Sequence, residues 1–295
     1  MAEVQDIRRR IRSVTNTRKI TKAMELVAGA RLRRAQARIE AMRPFADRML
    51  ELMVGTARAS TSVRGLPLLQ RREVRTAAVL ALTGDRGLAG AFNAQILRRV
   101  FEVERRLRRD RVTVKWLVSG RKGASTLRFR RYDVDQAWIG FSDRPSYSDA
   151  QAIAHKITDL YAEGEVDSVI VVYNHFESPL VQRVVEQEIL PIPESVLEAG
   201  EDAPPSQVGD FIYEPEPEEI LARLLPVYVE TELFRALLES AASEQGARMT
   251  AMRNASKNAA ELIDSLTLEM NRARQAEITQ EILEVVAGAD ALTAS

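Results

Sequence analysis

The sequence predicts an α/β protein built on a long antiparallel α-helical coiled coil, and three patterns predict it. Apolar or small residues recur at three- and four-residue steps from about Val4 to Arg58, at Val4, Ile7, Ile11, Val14, Ile20, Met24, Val27, Ala35, Ile39, Met42, Ala46, Met49 and Met53. Near the other end Leu233, Ala236, Leu262, Leu266, Ala273, Ile278, Ile282 and Val285 repeat the habit. Between the two, the period shortens to that of β-strands. One helix at each end of a chain implies an antiparallel pair closed by whatever folds in between. At 1.5 Å of rise per residue, a run of roughly 55 residues reaches about 80 Å, far beyond the ordinary globular helix.

The central elements follow in order. Val74–Leu82 is a short apolar run broken by the turn TGDRGLAG (Thr83–Gly90), and Phe92–Leu107 continues as a helix. Val112–Val118 reads as a second strand, Asp149–Ala162 as a helix, and Val166–Tyr173 as a third strand. Strands alternating with helices predict a small, at least partly parallel sheet with helices packed on it, a Rossmann-like arrangement. Pro179–Pro191 alternates apolar and polar residues and fits an edge strand. Glu194–Asp210 is acidic and carries Gly200, Pro204, Pro205 and Gly209, which reads as a linker. Pro215 and Pro217 then open the C-terminal helix, where a missing N–H costs little. Pro44 and Pro226 fall inside helical stretches and are expected to kink or interrupt them, at about 3 kcal/mol each. The expected division is a coiled-coil helix over 1–60, an α/β domain over 74–193, an acidic linker over 194–211 and a second coiled-coil helix over 212–295.

Composition narrows the function. With 28% charged and 5% aromatic residues, the chain suits helices with solvated faces and suits neither an all-β nor a disordered protein. The absence of cysteine excludes disulfides, thiol catalysis and cysteine-ligated zinc. The N-terminal stretch lacks an apolar core of signal-peptide type, and no run approaches 18 apolar residues, so a protein of a cytoplasm-like compartment is expected. The formal net charge is zero but unevenly spread: residues 1–58 hold 14 Lys and Arg against 6 Asp and Glu, and residues 194–239 hold 12 acids against 2 Arg. The basic helix has no Tyr, Trp or Phe before Phe45, hence no stacking platform, and nucleic acid is not the expected partner.

No active site assembles. TGDRGLAG has a phosphate-loop look, but no Lys-Ser/Thr pair closes it and it does not match GxGxxG, so a tight structural turn is expected. His155 and His175 stand in no metal-ligand spacing, and no cofactor is expected. Ile278–Leu292 is apolar on nearly every side, and a helix apolar all round requires burial, either on the chain's own domain or in a socket supplied by another protein. A coiled-coil scaffold or adaptor with an α/β head satisfies these patterns as well.

Four segments carry a family resemblance: Ile7–Ala35, Thr83–Asn93, Ala242–Ala259 and Asn271–Ala291, the last with Thr279, Glu281, Glu284, Gly288 and Ala289 in the family's terminal spacing. They resemble the gamma subunit of F-type ATP synthases of the bacterial type, with Ala89 and Ala91 where that family commonly has cysteine and glycine. The resemblance implies a non-catalytic central-stalk rotor. Its expected partners are the alpha, beta and epsilon subunits and the membrane-embedded c-ring, and its expected place is the cytoplasmic face of the inner (plasma) membrane, reached through the c-ring. It also implies roles for particular residues. Arg274 and Gln275, with Lys22 and Met24 facing the same level, match positions that engage a catch loop of the beta subunit. Phe211, Tyr213 and Glu214 match a foot on the c-ring, and Ile282, Leu283, Val285 and Val286 match a tip held in a bearing. Read from the residues alone, Arg274 fits an i,i+4 ion pair, Phe211 and Tyr213 strand burial, and the tip a coiled-coil core.

Overall fold

The computed structural model describes residues 2–60, 65–178, 181–193, 196 and 214–293. The linker, apart from Val196, and the foot residues Phe211 and Tyr213 lie outside the described residues. Two helices, α1 (Ala2–Ala59) and α5 (Pro217–Thr293), bracket a five-stranded sheet with helices α2 (Phe92–Arg109), α3 (Arg121–Phe129) and α4 (Tyr147–Ala162). Both long helices run unbroken through Pro44 and Pro226, contrary to the expected interruption. At Pro226 the reason is burial on both sides, since Leu221, Leu225, Val229 and Leu233 are all enclosed and each contributes about 1.5–3 kcal/mol against the lost hydrogen bond. The chain forms two compact units, residues 1–28 with 249–295, and residues 29–248.

The first unit is an antiparallel helix pair. Glu25 accepts from Arg253 Nε at 3.1 Å, while Val4, at the other end, lies with Leu268, Ala273 and Ala276 around one groove. These contacts fix a register in which paired residue numbers total about 277. On the N-terminal segment Val4, Ile7, Ile11, Val14, Thr21, Glu25 and Ala28 are buried or half-buried in steps of three and four apart from the skipped Arg18, with Thr15 and Met24 half-buried beside them. Opposite them Met252, Ser256, Ala259, Ile263, Leu266, Met270, Ala273 and Glu277 keep the same alternation. That is a heptad seam. The sequence-based phase slips within it: Ile20, Val27, Leu262 and Ile278, expected inward, are exposed. Continuing the three-four steps from Val14 lands on Thr21, Glu25 and Ala28, and the Glu25–Arg253 ion pair pins that phase.

In the second unit the sheet has order β3-β2-β1-β4-β5, with β1 (Thr76–Leu82), β2 (Thr113–Ser119), β3 (Val134–Trp138), β4 (Ser168–Phe176) and β5 (Gln182–Leu190). The first four strands are mutually parallel, and β5 is an antiparallel edge strand paired to β4. Successive β1 residues face opposite sides. Ala77, Val79 and Ala81 join Phe92, Ile96, Val100 and Val103 of α2 and Leu127 of α3 in one core. Ala78, Leu80 and Leu82 join α4, Met49 and Met53 of α1, and Leu221–Leu237 of α5 in the other. The helix segments 29–59 and 217–248 therefore belong to the sheet's own unit, and the edges of the α/β region lie well outside 74–193. The sequence reading had no strand at Val134–Trp138 and no helix at Arg121–Phe129.

Candidate partner-binding surfaces

The turn after β1 sits where a doubly wound sheet presents its ligand crevice, beyond the carboxyl ends of β1 and β4, at the point where the strand order reverses. Its residues are committed to holding loops together. The Asp85 carboxylate accepts backbone N–H bonds from Arg121 at 2.9 Å, Gly140 at 2.8 Å and Ser142 at 3.0 Å, tying the ends of β1, β2 and β3. The Thr83 hydroxyl donates to the Ser119 carbonyl and accepts from the Gly123 N–H, each at 2.9 Å. The Gly84 N–H donates to Asn93 Oδ1 at 2.8 Å.

The crevice is filled by the chain itself. Along α5, Ser240 donates to the Leu82 carbonyl and Ser243 to the Asn174 carbonyl. Glu244 lies so close to Gly84 that a Cβ there would meet its carboxyl atoms at 2.9 Å. Arg248 bonds Glu244 at 2.5 Å and the Gly87 carbonyl at 3.2 Å. Glu244 is 1% exposed, and burial pushes its carboxyl pKa up while the Arg248 guanidinium opposes the shift. A cleft that binds nucleotides in other doubly wound folds here clamps a helix. Nearby carboxylates of α5 are partnered too: Glu230 accepts from the Tyr147 hydroxyl at 2.6 Å, and Glu239 shares a 2.6 Å hydrogen bond with His175 Nδ1. Burial and the Glu230 carboxylate push the Tyr147 hydroxyl up to about 12. Both histidines thus have carboxylate neighbours, and the described residues hold no cluster of metal-ligand type.

The residues with implied partner roles separate into distinct places. Lys22 bonds Glu25 at 3.0 Å and Met24 is half-buried, both near Arg253. Arg274 and Gln275 are exposed, and Arg274 has no side-chain partner among the described residues. In the register set by Glu25–Arg253 and Val4–Ala273, Lys22 and Arg274 lie about 20 residues apart along the pair, roughly 30 Å. They do not face the same level, and the antiparallel register is the reason. The i,i+4 ion pair expected of Arg274 has no acid to form with, since Met270 and Ile278 stand four residues to either side. Glu214 is exposed. Ile282, Leu283, Val285 and Val286 are all more than half exposed; Val4 lies opposite Ala273–Glu277, and among the described residues of the unit no helix covers the α5 turns beyond. The described residues contain no helix long and apolar enough to cross a membrane.

A heptad-paired stalk and an α/β body with a self-filled crevice define a structural subunit rather than a nucleotide-binding enzyme domain. A family profile described as ATP synthase matches residues 3–292. The gamma chain of Rubrobacter xylanophilus ATP synthase is 48% identical over all 295 residues and the whole of that chain, and that of Moorella thermoacetica is 45% identical over 99% of this chain and the whole of that one. The chain belongs to the ATP synthase gamma family. Among solved structures, the Tetrahymena thermophila mitochondrial ATP synthase central stalk/c-ring has a chain 29% identical with a TM-score of 0.59, covering 80% of this chain and 99% of that one. A chain of the Euglena gracilis mitochondrial ATP synthase shares the fold at a TM-score of 0.71 and 18% identity, over 99% of this chain and 95% of that one.

Proposed function

We propose that this chain is the central rotor of an ATP synthase, turning with a c-ring and passing torque to a ring of alpha and beta subunits that perform the chemistry. The observation that carries it is the C-terminal end of α5: a helix that leaves its partner behind and exposes Ile282, Leu283, Val285 and Val286 together. Such a surface in a charged, soluble-type chain calls for a sleeve, and non-directional apolar contact allows turning without breaking hydrogen bonds. The alpha–beta ring is the sleeve in this reading, Glu214 with Phe211 and Tyr213 forms the c-ring foot, and an epsilon subunit joins the body. The work site is the cytoplasmic face of the membrane, reached through the c-ring alone. A rotor imposes different states on equal partners only by contacting them differently, and an α5 end with Arg272 and Arg274 exposed supplies such asymmetry. Co-expression with alpha, beta and epsilon subunits tests the reading. A rotor brings alpha and beta down in excess over itself, whereas an adaptor with an α/β head does not.

The catch assignment yields a sharper expectation. Replacing Arg274 and Gln275 together by alanine keeps helix propensity and leaves the half-buried seam positions Ala273 and Glu277 in place. Assembly is therefore retained. Contacts made only at certain angles, each about 1–3 kcal/mol when charge-assisted, are lost, so turnover slows and coupling weakens. ATP hydrolysis and ATP-driven proton pumping by complexes of matched subunit content measure both. Unchanged values would make the pair ordinary stalk surface. Lys22 and Met24, about 30 Å along the pair, act as a separate contact whose replacement is additive with this one.

A further inference from the structure

The region of α2 and α3 carries dense positive charge. Residues 98–131 hold thirteen Lys and Arg against three Asp and Glu. Some are neutralised at home: Arg106 by Glu186, Arg99 by Glu102 at 3.3 Å and Arg108 by Glu104 at 2.8 Å. Arg98, Arg105, Arg109, Arg128 and Arg131 have no side-chain partner among the described residues. A groove of about 560 Å³ runs between the two helices, rimmed by Arg98 and Arg105 on α2 and by Thr126 and Arg130 on the other side. Its floor is Leu97, Phe101 and Tyr132 with Glu104, whose carboxylate is already taken by Arg108 and by the Tyr132 hydroxyl, each at 2.8 Å. Phe101 and Tyr132 stack at 5.7 Å between centroids, and the Arg130 guanidinium caps the Phe101 ring at 4.4 Å.

We propose that this groove docks an acidic amphipathic helix of a partner protein, its apolar stripe on Ala94, Leu97 and the ring edges of Phe101 and Tyr132 and its carboxylates on Arg98, Arg105 and Arg130. Two features favour that occupant. The ring faces are already taken, Phe101 by Arg130 and Tyr132, so no platform is left for a nucleic-acid base. The apolar surface is a recessed floor between charged rims, which a helix side chain reaches and a bilayer does not. Arg98 and Arg105, seven residues apart on α2, repeat at about 10.5 Å, the spacing of carboxylates two turns apart on a helix lying alongside. Planar guanidinium forks suit carboxylates in pairs. The site is independent of the rotor reading, since none of its residues belongs to the stalk pair.

The test uses the full chain and a fluorescein-labelled synthetic helix of about 18 residues, with leucines on one stripe and glutamates flanking it. Anisotropy titration should show binding that falls about tenfold or more in the Arg98→Glu, Arg105→Glu double variant. A peptide with its glutamates changed to lysine should bind that variant and not the wild type. The Arg98→Gln, Arg105→Gln pair, which adds no new charge, should fall between the two and guards against misfolding of the reversed form. Equal affinity of wild type and both variants overturns the proposal, as does equal binding of a scrambled, non-amphipathic peptide. Competition by poly(U) or by phosphatidylglycerol vesicles at lower concentration than the peptide assigns the face to nucleic acid or membrane instead and overturns it too.

Discussion

Gly120→Ala should unfold the sheet unit, or cost it more than about 4 kcal/mol, while Gly140→Ala costs about 1–3 kcal/mol. Both glycines have positive φ, +99° and +103°, so backbone strain is common to the two. Space is not. A Cβ at Gly120 would lie 2.0 Å from the Thr83 carbonyl oxygen and 2.5 Å from its carbon, both backbone atoms that cannot swing aside, whereas at Gly140 nothing lies within 4 Å. Moving the Thr83 carbonyl would also disturb the Thr83 bonds to Ser119 and Gly123 that close the turn. Urea unfolding followed by tryptophan fluorescence measures this directly, because both tryptophans, Trp116 and Trp138, lie in the sheet. A Gly120 variant as stable as the Gly140 variant would contradict the packing at this turn.

Arg248→Ala is expected to be nearly as damaging, with a pH signature. It removes the guanidinium beside Glu244 and leaves a carboxyl with 1% exposure facing the Gly84 backbone. Breaking one side of a buried pair costs about 3–5 kcal/mol. The sign follows from linkage. The Glu244 pKa is already raised above 4.5 by burial, so the folded state holds its proton more tightly than the unfolded state, and stability falls as pH rises from 4.5 toward the folded value. Removing Arg248 raises the folded value further and lengthens that fall. The loss relative to wild type should therefore be largest near pH 8 and shrink as pH drops toward 5. A loss independent of pH would mean that Glu244 is neutral in both proteins.

Much of this was readable from the residues. The parallel strands at Thr76–Leu82, Thr113–Ser119 and Ser168–Phe176 announced themselves as short apolar runs, because strands covered on both faces need no polar alternation. Val134–Trp138 escaped because it is a short edge strand with Asp135 and Gln136 exposed in its middle, and Arg121–Phe129 because glycine, serine and threonine dilute its helical pattern. The stalk was legible as helix but not in phase. Periodicity alone favoured large residues such as Ile20 and Val27, while the seam selects Thr21 and Ala28, whose small size permits close approach. The residues proposed for the catch were picked out by a motif, yet their separation along the pair depends on register, which only tertiary contacts such as Glu25–Arg253 reveal. The filling of the crevice by Ser240–Arg248 had no local signal, because its partners are about 160 residues away in the chain.

The seven-residue alternation of the stalk seam has a mechanical corollary. A straight α-helix drifts by about 20° per heptad against a strict 3.5-residue repeat, so helices holding the seam from Val4 to Ala28 coil about each other with a left hand. A left-handed two-strand rope is not symmetric under twist. Turned one way it is wound tighter and its strands are pressed together; turned the other way it is unwound and they are eased apart. The torsional stiffness of this pair therefore differs for the two senses of rotation, a handedness written into the spacing of small and apolar side chains.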